Sequence, residues 1–233
     1  YFLKYPRNLY WFLKFKWMRD IKKIYNFKEL VENIIEKSKG EFIAFSTDDS
    51  YIYKEFLLDD DVESILGASD MNFFSFWHGS NLNDSPKDLI SIKNKFYSWS
   101  LENKEYDRYW RNRFSLDLNI YNKKLLLKLL KKILYVNPNS LEGMVNFYAT
   151  SKKYFNTGFC YYESPWVMFS LNQVQTNNKH VDTVVIDKNF LNDKFLEGYK
   201  LKFKFTGPPN IIDSYPDEIY LENNIEKIKI KFK

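Results

Sequence analysis

The sequence predicts an α/β protein whose mixed, mainly parallel sheet is flanked by helices. A continuous apolar run at residues 42–45 is typical of a strand buried on both faces of a sheet with parallel pairing, and residues 71–77 form a second apolar strand. Helices are predicted around these strands, at residues 26–38 and 123–133. The chain has 233 residues, of which 45% are hydrophobic and 28% charged, so it can form one sizeable domain and is not typical of a disordered protein.

Residues 1–25 are aromatic and basic, and they are set apart from a domain that spans residues 26–233. We interpret this segment as a docking helix or as the remnant of a truncated domain. The alternative is an amphipathic helix that lies on a membrane surface. In the helix that follows, Asn26 is the predicted N-cap, Glu29 stands at the capping-box position and Gly40 ends the element.

The strand at residues 42–45 leads into two adjacent carboxylates, Asp48 and Asp49. Ligands of open α/β sheets bind beyond the carboxyl ends of strands, because the loops that leave the strands form a crevice there. Two neighbouring carboxylates repel each other unless a cation lies between them, and hard oxygen ligands suit Mg²⁺ or Mn²⁺ shared with a diphosphate. The alternative is structural: Asp48 caps a helix at residues 51–58, and Asp49 is solvated.

The acidic residues 59–61 are interpreted as the first turn of a helix, where carboxylates complement the helix dipole, and not as a metal site. Asn139 or Ser140 is the predicted cap of a later helix, which places Glu142 in its first turn. Further strands are predicted near residues 96–100, 115–121, 164–171 and 225–233, and further helices near residues 141–155 and 189–195.

Charge and cysteine content argue against several classes of function. The formal net charge is +5, but lysines alternate with acidic residues along most of the chain, so a nucleic-acid partner is not expected. Cys160 is the single cysteine, and its aromatic surroundings predict a buried thiol rather than a nucleophile. No run approaches the roughly 18 apolar residues of a membrane span, and no signal peptide is evident.

Five short motifs, in the order TDD, FFSFWHG, SLDLNIY, PNSLEG and LNQVQ, resemble those of the bacterial family 2-like glycosyltransferases, which have the GT-A fold. The resemblance extends from residue 26 to residue 175 or further. It implies an inverting hexosyltransferase that moves a sugar from a nucleotide-sugar donor to a hydroxyl of a glycan or of a surface-polysaccharide precursor.

The resemblance also implies roles for four acidic residues. TDD stands in the place of the family's DXD motif, so Asp49 would bind Mn²⁺ or Mg²⁺ on the donor diphosphate, and Asp48 would support the metal or the ribose. Glu142 is the expected general base, and Asp117 is the second candidate. The alternatives are a carboxylate that complements the helix dipole for Glu142 and a structural hydrogen-bonding role for Asp117.

Aromatic residues are the candidates for acceptor binding. Trp77, His78 and Trp110 are the expected acceptor contacts. The alternative for His78 is a loop histidine without chemistry. At least two of the tryptophans Trp77, Trp99, Trp110 and Trp166 are predicted to be core residues instead.

The strand, helix and strand that open a GT-A domain are not recognisable in residues 1–25, so we expect a chain truncated at its N-terminus.

Two other functions remain open: a non-catalytic carbohydrate-binding remnant, and a metal-dependent phosphoryl-transfer enzyme, which ranks last because no P-loop is present. The expected partners are the donor and a glycan acceptor, without nucleic acid and with peripheral membrane contact. The expected location is the cytoplasm, at the inner face of the membrane.

Overall fold

A computed structural model describes residues 21–47, 50–168, 187–204 and 216–230, and within these ranges the protein is a mixed α/β structure. The helices are α1 (Ile21–Lys37), α2 (Asp60–Gly67), α3 (Lys123–Leu130), α4 (Pro138–Lys152) and α5 (Lys188–Leu196). The strands are β1 (Phe42–Ala44), β2 (Ser50–Ile52), β3 (Asn72–Ser75), β4 (Ile90–Ile92), β5 (Phe96–Ser100), β6 (Asn119–Asn122), β7 (Thr157–Tyr161), β8 (Trp166–Met168), β9 (Lys200–Lys204), β10 (Glu218–Glu222) and β11 (Lys227–Ile230).

The main sheet has six strands in the order β1-β6-β3-β7-β5-β4. Its mixed character confirms the coarser prediction, but the expectation of a mainly parallel sheet is wrong. Only the pairing of β3 with β7 is parallel, and the other four pairings are antiparallel. Two short sheets accompany it, a β2-β8 pair and a three-stranded β11-β10-β9 sheet.

Strand β3 is the buried centre of the sheet, and β1 is its edge. Phe73 and Phe74 point to opposite faces of β3, and both are fully buried. Phe73 packs on Trp99 and Tyr121, whereas Phe74 packs on other rings. The prediction that residues 42–45 form a doubly buried parallel strand is therefore wrong, because β1 is partly exposed and pairs only with β6, in antiparallel register.

Helix α1 begins at Ile21, so Asn26 lies inside the helix and is not its cap. Phe27, Val31 and Ile35 face the core, as the apolar pattern predicts. Leu30 and Ile34 belong to the same predicted stripe but are 58% and 60% exposed. The buried stripe of α1 is therefore narrower than the apolar pattern suggests.

The predicted helix at residues 51–58 is wrong, because this stretch contains strand β2 and irregular backbone. The acidic run after it is structural, as predicted. Asp59 caps α2 by accepting a hydrogen bond from the Val62 amide, and Lys95 forms ion pairs with Asp59 and Asp61.

Helix α4 begins at Pro138, three residues earlier than predicted, and its N-cap is Asn137 rather than Asn139 or Ser140. The Asn137 side chain accepts from the Ser140 amide, and the Ser140 hydroxyl accepts from the Asn137 amide in return. Glu142 consequently lies in the second turn of α4, where the helix dipole offers it less stabilisation than a first-turn position would.

Other elements agree with the sequence more closely. Strands β3 and β5 and helices α3 and α5 match their predictions within a few residues, and β6 begins at Asn119 instead of residue 115. Strands β7, β9 and β10 were not predicted. In the ranges that the structure describes, no helix has both the length and the apolar character needed to cross a bilayer.

Candidate carboxylate site at the sheet edge

Several strands of the main sheet end or begin along one border that runs across the strands. This border is called the sheet edge below and is distinct from the edge strand β1. Strands β1, β3 and β7 run in the same direction and end there, while β5 and β6 run in the opposite direction and begin there. The loops at this edge carry most of the residues that the sequence marks as functional, including those after β1 and those before β6.

Thr47 and Asp117 face each other at this edge. They continue the antiparallel register of β1 and β6, in which Ala44 lies opposite Ile120 and the Leu118 amide donates to the Phe45 carbonyl at 2.8 Å. The Thr47 hydroxyl donates to Asp117 Oδ1 at 2.9 Å.

The backbone beside Asp117 is strained. Leu118 has a φ of 45°, in the left-handed region that non-glycine residues seldom adopt. Such conformations are held in place by the surrounding structure and cluster at functional sites. Here the unusual turn directly follows Asp117 and precedes β6.

Helix α4 brings Glu142 to the same loop. The Leu116 amide points at Glu142 Oε1 at 3.4 Å, and the Ser115 hydroxyl donates to Asp117 Oδ2 at 3.1 Å. Two carboxylates that are 25 positions apart in the sequence, the expected base and its second candidate, thus belong to one polar cluster.

The surroundings of Glu142 alter its ionisation. Burial, followed by the charge of Asp117, raises the pKa of Glu142 from its usual 4.5 to about 7. Hydrogen bonds from Ser115 and from the Leu116 amide oppose this rise only partly. Glu142 therefore exchanges its proton near neutral pH, which suits a general base or acid.

The loop between Arg113 and Asp117 is held from two sides. Asn146, one turn after Glu142 on α4, accepts from the amides of Arg113 and Phe114 at 2.8 and 3.0 Å. The Tyr121 hydroxyl accepts from the Ser115 amide at 2.7 Å. Burial raises the pKa of Tyr121, so its hydroxyl stays neutral and keeps this role.

Asp48 and Asp49 lie outside the described residues. Across the parts of the chain that the structure describes, no three His, Cys, Asp or Glu side chains come together in a way that could hold a metal ion. Asp117 and Glu142 therefore stand as a pair of carboxylates and not as a group of three possible ligands. Their sequence neighbours Thr47 and Ser50 are described, and the two hydroxyl oxygens lie 2.7 Å apart.

The three residues expected to contact the acceptor are buried instead. His78 is enclosed by Trp77, Trp99 and Trp110, with ring centroids 4.4 to 4.9 Å apart, and its Nδ1 lies 2.7 Å from Ser75 Oγ. Burial lowers the pKa of His78 to about 3, so the ring is neutral at physiological pH. All four tryptophans for which at least two core positions were predicted, Trp77, Trp99, Trp110 and Trp166, are core residues.

Cys160 and Arg113 are structural as well. Cys160 is fully buried and burial raises its thiol pKa, as the sequence predicted for an inert thiol. Arg113 is 3% exposed, donates to the carbonyls of Tyr154 and Phe155 and forms an ion pair with Glu102.

Sequence reasoning missed Thr47, Ser115, Tyr121 and Asn146 as parts of the site. The spacing of Ser115 and Asp117 is a recognisable local signal, because a serine two residues before an aspartate can bond its backbone and side chain. Tyr121 and Asn146 carry no such signal, since their partners are distant in the sequence. No protein family, curated protein or solved structure matches the chain.

Proposed function

We propose that this protein is an inverting glycosyltransferase of GT-A type, with Glu142 as the general base and Asp117 as the residue that tunes it. The observation that supports the proposal most is the pairing of Glu142 with Asp117 beside Thr47, the first residue of the TDD motif. Motifs from three parts of the chain meet at the edge of a sheet where α/β proteins bind ligands.

The proposed reaction requires one proton transfer and one displacement. Glu142 accepts the proton of an acceptor hydroxyl as the oxygen of that hydroxyl attacks the anomeric carbon. The bond from that carbon to the diphosphate oxygen breaks, and the nucleoside diphosphate leaves from the opposite face with the electron pair. A base whose pKa lies near the working pH is both available as the anion and strong enough to take the proton.

Asp117 serves the base in two ways. Its charge raises the pKa of Glu142 towards neutrality. Its own oxygens accept hydrogen bonds from Thr47 and Ser115, which stabilise the Asp117 anion.

The donor half of the proposal rests on the sequence motif. Asp49, with Asp48, is the proposed ligand of Mn²⁺ or Mg²⁺. When bound, such an ion would neutralise charge on the diphosphate leaving group. The acceptor is proposed to be a glycan or a polysaccharide precursor.

The experiment combines ligand binding with turnover. Thermal unfolding is followed with UDP, GDP and their common sugar conjugates, with and without Mn²⁺, since a ligand that binds the native state raises the unfolding midpoint. Release of nucleoside diphosphate from the same sugar conjugates reports turnover to water or to an added acceptor.

We expect Mn²⁺-dependent stabilisation by one nucleotide class. Asp49→Ala should lose the stabilisation, whereas Asp60→Ala, in the capping turn of α2, should keep it. Glu142→Gln should keep the stabilisation and lose turnover. The absence of any nucleotide shift, or full turnover in Glu142→Gln, would overturn the proposal.

A further inference from the structure

A second feature of the same sheet edge is an open cavity of about 300 Å³. It lies where β7 ends and β5 begins. Phe56, Tyr161, Tyr162 and Pro165 line it, with Lys54, Glu55, Lys95 and Glu163. Its volume is at the lower end of the range for small-molecule pockets, so it suits one ring-sized group rather than an extended ligand.

The walls of the cavity are held in place by backbone contacts. The amides of Tyr53 and Lys54 donate to the Pro165 carbonyl at 3.1 and 3.3 Å, and the Tyr162 amide donates to the Lys95 carbonyl at 3.3 Å. Asn81 accepts from the Ser164 amide at 2.8 Å. The cavity is therefore preformed, as binding sites for small ligands usually are.

Gly79 brings the loop after β3 against the same wall. A Cβ atom at this position would lie 2.2 Å from the Ser164 amide nitrogen and 2.6 Å from Asn81 Oδ1. Only glycine permits this close approach. The position of Ser164, next to the cavity residues Glu163 and Pro165, thus depends on the loop after β3 through Gly79 and Asn81.

The hydroxyl groups of the two lining tyrosines already have partners within the protein. The Tyr161 hydroxyl donates to the Leu57 carbonyl at 2.6 Å, and the Tyr162 hydroxyl is hydrogen-bonded to Ser91. Phe56 packs on Tyr161, and Tyr162 packs on Tyr97 with ring centroids 4.5 Å apart. Phe56, Tyr161 and Tyr162 are only partly buried, so part of each side chain remains accessible to a ligand.

The charges of the cavity do not favour an anion. Lys54 is paired with Glu163, and Lys95 is paired with Asp59. Lys54, Lys95, Glu55 and Glu163 line the cavity with two positive and two negative charges, and the partners of Lys95, Asp59 and Asp61, lie outside the lining. A phosphate or a carboxylate would have to displace a partner of one of the lysines and would be repelled by Glu55.

We propose that this cavity binds one neutral sugar ring of a glycan. Aromatic faces pack on the C–H groups of such a ring, while charged groups at the rim donate to and accept from its hydroxyls. The ion pair of Lys54 and Glu163 supplies both kinds of partner without a net charge.

The cavity and the carboxylate pair are connected along the chain. The segment that begins with β2 leads from Ser50, which is hydrogen-bonded to Thr47, to Phe56 in the cavity. Along the sheet, β7 and β5 are two and three strand spacings from β6, roughly 10 to 15 Å. The proposed binding of a neutral sugar ring does not depend on the proposed transfer function. Only the further role of the cavity, as a subsite for the sugar acceptor, rests on that function.

The experiment measures glycan binding without nucleotide or metal. The full chain is applied to an array of neutral and acidic oligosaccharides, and the affinity for the strongest neutral glycan is then measured by calorimetry. The variants are Tyr162→Ala and Lys54→Met, with Tyr148→Ala on α4 as the matched control for loss of a half-buried tyrosine. Lys54→Met changes an exposed side chain and leaves the fold intact, which covers the case in which Tyr162→Ala unfolds.

We expect a neutral glycan to bind and the affinity to fall about tenfold or more in Tyr162→Ala and severalfold in Lys54→Met. Tyr148→Ala should bind as the wild type does. Binding of acidic glycans alone, no neutral glycan bound, or a neutral glycan bound equally by the wild type and Lys54→Met would overturn the inference. Because glycan binding is measured without nucleotide or metal and transfer is measured by nucleotide release, failure of the transfer proposal and failure of the sugar site are distinguishable.

Discussion

The carboxyl group of Glu142 is largely enclosed by protein, and this enclosure decides when it ionises. Burial penalises the anion, and Asp117 adds a second negative charge in the same cluster. A carboxyl group with a raised pKa stays protonated up to a higher pH in the folded protein than in the unfolded chain. The pH dependence of stability therefore reports on this one residue.

The first prediction concerns the stability of Glu142→Gln. The protonated form of Glu142 stabilises the fold fully below its usual pKa of 4.5, and this contribution is lost as the pH rises through about 7. Glutamine mimics the protonated form at every pH. Across this window, the wild type should lose up to about 3 kcal/mol of unfolding free energy relative to the variant. Urea unfolding at a series of pH values measures the difference.

His78 responds to pH in the opposite direction, because burial lowers its pKa and its contribution to stability is lost as the pH falls. It is present in both proteins, so its effect cancels in the comparison. Glu29→Gln, an exposed position on α1, is the control and should follow the wild type. A constant difference between wild type and Glu142→Gln across the window would contradict a raised pKa.

The second prediction concerns Asp117→Asn. Removal of the Asp117 charge should move the pKa of Glu142 down from about 7 towards 4.5, but not fully, because burial is the larger cause. One of the two hydroxyls, Thr47 or Ser115, can still donate to the asparagine oxygen, and the other can turn to accept from the asparagine NH2 group, so the loop should keep its shape. A ¹³C NMR titration of the glutamate carboxyl carbons measures the shift.

The matched control for this titration is Asp60→Asn, in the first turn of α2. It should leave the pKa of Glu142 unchanged. If Asp117→Asn also leaves it unchanged, the two carboxylates do not interact, and the assignment of Asp117 as the tuning residue is wrong.

The order of elements along the sheet determines which apolar run becomes its centre. Residues 42–45 and residues 71–77 have the same kind of composition, yet the first forms an edge strand and the second lies between two partners. Parallel pairing, predicted for the first run, is found between β3 and β7. An apolar run indicates a strand, but its number of neighbours depends on the whole sheet.

The packing of β7 against β5 leads to the third prediction. A Cβ atom on Gly158 would lie 2.3 Å from Trp99 Cζ2, and Trp99 is buried, with its Nε1 donating to the Trp110 carbonyl at 2.8 Å. Gly158→Ala should therefore cost about 2 to 3 kcal/mol or more of unfolding free energy. Chemical denaturation with tryptophan fluorescence measures the loss.

Gly143→Ala provides the comparison on a helix. Gly143 is inside α4, and apart from its chain neighbours and the backbone of its own helix no described atom lies within 4 Å of a Cβ built on it. Alanine there should stabilise the protein by about 0.5 to 1 kcal/mol, since glycine is the poorer helix former. Equal effects of the two substitutions would show that contact with Trp99 does not restrict β7.

Arg113 joins segments that are far apart in the sequence. Its guanidinium donates to the carbonyls of Tyr154 and Phe155 and pairs with Glu102, while its own amide is bound by Asn146. The loop that carries Ser115 and Asp117 begins directly after it. The same residue therefore supports both the core and the carboxylate site.

The fourth prediction is that Arg113→Met destabilises the protein by about 2 to 3 kcal/mol. The buried carbonyls of Tyr154 and Phe155 lose a donor, which is the main cost. Glu102 adds little, because its side chain is 50% exposed and water can replace its partner. Arg111→Met, at an exposed position two residues earlier, should have almost no effect in the same urea titration. Similar losses in both variants would argue against a specific role for the buried guanidinium.

Local signals predicted the parts of the molecule whose causes are local. The acidic start of α2, strand β5, helices α3 and α5, and the inert Cys160 depend on neighbours in the sequence or on simple burial. The cap of α4 was misplaced by two or three residues, because Asn137, Asn139 and Ser140 are all plausible caps and only the backbone geometry selects one.

Local patterns in the sequence are sufficient to predict an α/β domain, to locate most of its helices and strands, and to select Glu142 and Asp117 as candidate site residues. Only the packing of distant segments places these two carboxylates in one cluster, makes β1 an edge strand and buries the tryptophans and His78. Propensities and capping act over a few residues. Burial, strand neighbours and the electrostatic coupling of Glu142 to Asp117 arise only when distant segments pack together.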